Sequence, residues 1–143
     1  MKVLFDTSVL VAALVTDLKN HEASQECLLQ YTTSPNEGFC TSHALAECYA
    51  TLTVLPLKRR IQPTESATLI SDSLANRLKV LESKNSTYLE SIQRVSRLGL
   101  ISGIVYDALH LVSAELASCE RLYTYNLRHF HSLNPKGITI SAP

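Results

Sequence analysis

The stretch Lys2-Val3-Leu4-Phe5-Asp6-Thr7-Ser8-Val9-Leu10-Val11-Ala12-Ala13-Leu14 decides the fold. Its short apolar start reads as a buried strand, a polar triplet follows, and the apolar run from Val9 reads as a buried helix. Asp and Thr favour a helix start because their side-chain oxygens accept from unpaired backbone N–H groups. The rest of the chain repeats this alternation. A second helix is expected over about 21–31, with Ala23, Cys27 and Leu28 on one face, and a turn at Ser34-Pro35-Asn36. Residues 38–41 read as a strand, and Ser42 as the cap of a helix carrying Leu45, Tyr49, Leu52 and Thr53. Pro56 and Lys58-Arg59-Arg60 end that helix. Pro63-Thr64 opens another, with Leu69, Ile70, Leu74 and Leu78 on one stripe, and Val80-Leu81 suits a strand. Helices follow over 86–98, ended by Gly99, and from Ile104 to about Ala117. Residues 121–125 read as a strand, 126–130 as a loop and 138–140 as a last strand. Strands alternating with helices predict an α/β architecture, a parallel sheet covered on its faces. Without repeats, low-complexity segments or linkers, residues 1–143 are expected to form one domain.

Composition narrows the function. Of 143 residues, 45% are hydrophobic and 18% charged, enough apolar material for a core and too much for a disordered chain. Lys and Arg total 13 against 13 Asp and Glu, so no global basic field draws the chain onto nucleic acid. Such a role needs a local basic patch or a metal that neutralises local acid. The apolar runs are too short to span a bilayer and the opening lacks a signal peptide's pattern, so a soluble, cytoplasmic chain is expected. Cys27, Cys40, Cys48 and Cys119 form no C-x-x-C pair and read as reduced, mostly buried thiols. Cys40, His43 and Cys48, with His129 and His131 later, lack the tight paired spacing of a zinc site. No G-x-x-x-x-G-K-[ST] or G-x-G-x-x-G phosphate cradle occurs.

Three acids stand where acids are costly. Asp6 lies at the carboxyl end of the first strand, where open α/β sheets place ligands, although it also suits a helix cap. Glu47 lies on a helix whose neighbours at three and four positions are His43, Ala44, Ala50 and Thr51, so no lysine or arginine pairs with it locally. An exposed helical glutamate is the plainer alternative. Asp107 interrupts the apolar run from Ile104 to Val112, and an unpaired buried carboxylate needs a compensating partner. A divalent cation is one, a helix N-cap another. Separate acids on three helix or strand ends suit Mg²⁺, which takes oxygen ligands and keeps several waters. Such a site activates water and stabilises the charge that develops in phosphodiester cleavage. It also lets an acidic pocket accept a polyanion, with Lys58, Arg59 and Arg60, or Arg94 and Arg97, available at the rim. The plainer reading of these basic residues is as solvated helix faces.

Four stretches then resemble one family in order and spacing. They are Asp6-Thr7-Ser8 after an apolar strand, Thr41-Ser42 followed by Glu47, Gly103-Ile104-Val105-Tyr106-Asp107-Ala108-Leu109, and Leu122-Tyr123-Thr124-Tyr125-Asn126-Leu127-Arg128-His129-Phe130. Together they resemble the PIN-domain ribonucleases, most nearly the VapC-like toxins of bacterial toxin–antitoxin pairs. The resemblance implies a three-layer α/β/α domain with a mostly parallel central sheet. It also implies an endoribonuclease dependent on Mg²⁺ or Mn²⁺, a homodimer, and inhibition by a cognate antitoxin. By position, Asp6, Glu47 and Asp107 match acidic, metal-holding residues. Thr7 and Thr124 match polar positions that orient water or the acids. The last motif departs from the family, with Asn126 and His129 where an acid is common. Asn126 keeps a hydrogen-bonding amide without charge, His129 could assist a water or contact phosphate, and a second metal site loses support. The rival expectation is a catalytically weakened PIN-like module that binds RNA or protein. An aspartyl-nucleophile phosphatase fits poorly, because the second Asp it needs is Ser8 here.

Overall fold

The structure is a computed structural model covering all of Met1–Pro143. At its centre is β1 (Lys2–Phe5), whose Val3, Leu4 and Phe5 are fully buried. Side chains alternate across a strand, so Val3 and Phe5 enter one core and Leu4 the other. Parallel to β1 run β2 (Glu37–Thr41) and β4 (Arg121–Tyr123), with Leu4 opposite Phe39 on one side and Leu122 on the other. Strands β3 (Lys79–Leu81) and β5 (Thr139–Ser141) complete the parallel sheet, in the order β3-β2-β1-β4-β5.

Helices cover both faces. Against Val3 and Phe5 pack α1 (Thr7–Leu14), α2 (His21–Tyr31) and α3 (Ser42–Leu52), through Val9, Leu10, Cys27, Leu28, Ala44, Cys48 and Leu52. Against Leu4 and Phe39 pack α5 (Asn85–Arg97), α6 (Ile104–Leu116) and α7 (Leu127–Ser132), through Val95, Leu111, Ala114 and Phe130. The remaining helix, α4 (Pro63–Leu69), runs on into a π turn over Ile70–Ala75. This is a three-layer α/β/α fold, and parallel strands bring all their carboxyl ends to one edge. No helix is long and apolar enough to cross a membrane.

Several local expectations are corrected. Thr41, not Ser42, caps α3, its Oγ1 accepting from the Ala44 N–H at 3.0 Å. Ala23 faces solvent, and Ser24 takes the inner place by hydrogen-bonding the Tyr125 hydroxyl at 2.8 Å. Tyr49 lies on the outer side of α3, whose buried stripe is Ala44, Cys48 and Leu52. The stripe expected from Pro63 is broken by the π turn, where the Asn76 N–H reaches back five residues to the Ser71 carbonyl. The stretch 126–130 is not all loop. From Leu127 it winds into α7, because Phe130 and Leu133, three apart, are both fully buried. The strand before it stops at Tyr123, since side chains claim the next amides: Ser8 Oγ takes Tyr125 N–H and Thr124 Oγ1 takes Asn126 N–H. All four cysteines are free and buried, and burial pushes the Cys27 and Cys119 thiols up to about 11 and Cys40 to about 12.

Candidate active site

Asp6 ends β1 with its N–H donating to the Tyr123 carbonyl at 2.9 Å. Its side chain is only 3% exposed. It holds the N-cap position of α1 through its backbone carbonyl, but its side chain makes no cap bond; Oδ2 instead accepts from the hydroxyls of Ser8 and Thr124, each at 2.8 Å. Each hydroxyl is itself aimed by a backbone donor, Tyr125 N–H onto Ser8 at 3.0 Å and Asn126 N–H onto Thr124 at 2.9 Å. One oxygen of Asp6 is thus doubly held, and Oδ1 lies 4.0 Å from His110 Nε2.

Glu47, on α3, faces the same edge. Its Oε1 lies 2.6 Å from His110 Nε2, 3.3 Å from the donating Thr7 hydroxyl and 3.8 Å from His43 Nε2. Burial disfavours its charge, but the hydrogen bond and charge of His110, with His43 and Thr7, outweigh burial and hold the carboxyl below its ordinary range. His110 is fully buried, with Nδ1 2.9 Å from Thr41 Oγ1. Thr41 Oγ1 thus meets both Ala44 N–H and the ring, and Nε2 on the other side of the imidazole faces Glu47. Burial opposes charging of this imidazole. The Glu47 hydrogen bond and the charges of Asp6, Glu47 and Asp107 prevail and raise its pKa.

Asp107, in the first turn of α6, is a half-buried acid whose Oδ2 lies 3.1 Å from His129 Nδ1. Burial first, and then the charge of Asp6, push its carboxyl above the usual range. The three acids therefore share one electrostatic environment, and no lysine or arginine pairs with any of them. Of the cations that sequence placed at the rim, Arg94 is engaged with Glu115 and Arg59 with Glu65. Arg94 is neither a solvated helix face nor a rim, being only 5% exposed.

No three His, Cys, Asp or Glu side chains stand at the mutual spacing of a ligand set, and one oxygen each of Glu47 and Asp107 is turned onto an imidazole. The donors nonetheless suit a hard cation. They are carboxylate oxygens without a lysine or arginine partner, and the charge of Asp6 acts against that of Asp107. Thr124 is buried behind Asp6, whereas Asn126 is exposed and its carboxamide makes no hydrogen bond.

The PIN domain family profile matches residues 3–134. The chain belongs to the PIN-domain family, in its VapC-like group. Among its relatives are two ribonucleases of Mycobacterium tuberculosis. It is 32% identical to VapC27 over 109 residues, 76% of this chain and 74% of that protein, and 32% identical to VapC40 over 124 residues, 86% and 85%. Solved structures share the fold. Mycobacterium tuberculosis VapC20, a Sarcin-Ricin loop cleaving toxin, superposes with a TM-score of 0.75 at 12% identity, covering 95% of this chain and 98% of that one. VapBC2 of Rickettsia felis, bound to a promoter DNA fragment, gives 0.67 at 20% identity, covering 100% and 99%.

Within this PIN domain, sequence reasoning missed His110 and gave Ser8 no role. The signal for His110 was present. It interrupts the same apolar helix as Asp107, three residues on, and a polar group there needs a buried partner just as the carboxylate does.

Proposed function

We propose that this PIN domain is an endoribonuclease that hydrolyses RNA phosphodiester bonds with one divalent cation, Mg²⁺ or Mn²⁺. It acts as the toxin of a toxin–antitoxin pair. One observation carries the reading: Asp6, Glu47 and Asp107 face one edge of the sheet without a lysine or arginine partner. A divalent cation bound there would activate a water for attack and would offset phosphate charge. The protein's part is positioning. Ser8 and Thr124 clamp one oxygen of Asp6, leaving the other to bind. Thr7 and His110 do the same for Glu47. Asp107 offers the oxygen that His129 does not touch. The free carboxamide of Asn126 would hydrogen-bond water or phosphate at the rim, and His129, three residues on and 58% exposed, would meet the RNA backbone.

Relatives called ribonucleases support the activity, and VapBC complexes among the structural neighbours support an antitoxin partner. A homodimer in the cytoplasm completes the reading. The His129–Asp107 contact favours a second reading, because it occupies one acid. In that reading the domain binds RNA or protein with its catalysis weakened. RNA cleavage with Mn²⁺, with and without chelator, separates the two. We expect cleavage that chelator stops and that Asp6→Asn and Asp107→Asn each abolish while circular dichroism stays native. Normal cleavage by both variants removes these acids from the mechanism, and metal binding without cleavage establishes the second reading.

A further inference from the structure

Three rings, one from each of three helices, stand beside the acids. His43 of α3 stacks on Tyr106 of α6 with centroids 5.1 Å apart and planes 11° apart. Tyr88 of α5 meets the same imidazole edge-on at 6.4 Å and 82°. The row leads into the candidate site. His43 Nε2 is 3.8 Å from Glu47 Oε1, its ring is 6.1 Å from that of His110, and Tyr106 immediately precedes Asp107. Neither tyrosine belongs to a hydrophobic core, and Tyr106 is 49% and Tyr88 39% exposed. Packing against His43 restricts the plane of Tyr106, so the exposed ring is ordered in advance of any ligand.

We propose that Tyr106, backed by His43 and Tyr88, is a stacking subsite for an unpaired nucleobase next to the scissile phosphate. The subsite rests on the nuclease reading above and adds to it where the substrate gains affinity. Proteins hold single-stranded RNA by stacking splayed bases on tyrosine and histidine, with little dependence on base identity. Neutral rings add contacts that need no charge at this edge, where no lysine or arginine pairs with the acids. The row is continuous with the edge that holds Glu47 and His110, which favours the RNA substrate as the occupant.

Oligoribonucleotides with 2-aminopurine at single positions around the cleavage site test the proposal. Binding is read in Ca²⁺ with the RNA's integrity checked on a gel, and steady-state cleavage is read in Mn²⁺. We expect fluorescence quenching at one flanking position, lost in Tyr106→Leu and kept in Tyr106→Phe. We expect Tyr106→Leu to raise KM about tenfold with kcat within about twofold of wild type. Absence of position-specific quenching, or a wild-type KM for Tyr106→Leu, overturns the subsite. So does a Tyr106→Leu variant whose sedimentation changes while its RNA binding does not, which makes the ring a protein contact. The two claims fail separately. Quenching in Ca²⁺ by a protein that cuts no RNA in Mn²⁺ defeats the nuclease reading alone, and cleavage without quenching defeats the subsite alone.

Discussion

At the scale of the residue, the site is a set of carboxylates each held by one oxygen. Thr124 and Ser8 hold Asp6, and His110 and Thr7 hold Glu47. Losing a partner that orients a ligand weakens metal affinity or activity about 10- to 100-fold. Thr124→Val is therefore expected to lower Mn²⁺ affinity, by calorimetry, within that range. His110→Leu should do the same, with partial recovery in His110→Gln, which keeps a donor toward Glu47. Unchanged affinity in both His110 variants would make the histidine a packing residue. The imidazole also ties stability to pH. Its folded pKa is raised, so its ionic contribution is complete below about 6.5, the unfolded value, and is lost as pH rises through the folded one. Urea denaturation of the metal-free protein should show stability falling across that window, with a shallower fall in Glu47→Gln. The acids were legible in the sequence because a charge without a local partner stands out. Of their clamps, Thr7 and Thr124 came only from the family resemblance and Ser8 and His110 were missed, since Thr124 lies 118 residues from Asp6 and His110 lies 63 from Glu47.

At the scale of the element, periodicity located almost every helix and strand, and the errors have physical causes. The turn residue Asn126 was read as the start of a loop, but Phe130 and Leu133 behind it bury a helical face. The π turn after α4 depends on a five-residue hydrogen bond with no signature in the apolar pattern. Gly38, inside β2, shows how tightly the layers meet. A Cβ there would lie 2.9 Å from Leu78 Cδ2, 3.0 Å from the Tyr31 carbonyl oxygen and 3.3 Å from Phe5 Cε2. Gly38→Ala should destabilise the fold by about 2 kcal/mol, read by chemical denaturation. On the opposite face, Arg94 of α5 and Glu115 of α6 form a bidentate pair at 3.0 and 2.6 Å, both largely buried. Removing one partner strands a buried charge, so Glu115→Ala should cost about 3 kcal/mol. Arg94→Met combined with Glu115→Leu should recover most of it.

At the scale of the whole molecule, the sheet order places the acids. Strand β1 lies between β2 and β4, so Asp6 after β1, the Thr41 cap of α3 after β2 and Thr124 after β4 reach one edge together. Neighbouring strands as distant in the chain as β1 and β4 leave no mark in local periodicity. Alternation predicted a parallel sheet but not its order, and the family resemblance supplied the convergence that spacing could not. On the proposed function, the same edge would let a chain of zero net charge serve a polyanion, because the cation would be brought in rather than encoded. The most direct measurement is anomalous scattering from crystals of the protein soaked in Mn²⁺. The account predicts one peak between the carboxylates of Asp6, Glu47 and Asp107, absent in Asp6→Asn. RNA cleavage by a protein whose only Mn²⁺ peak lies away from these three side chains would contradict it.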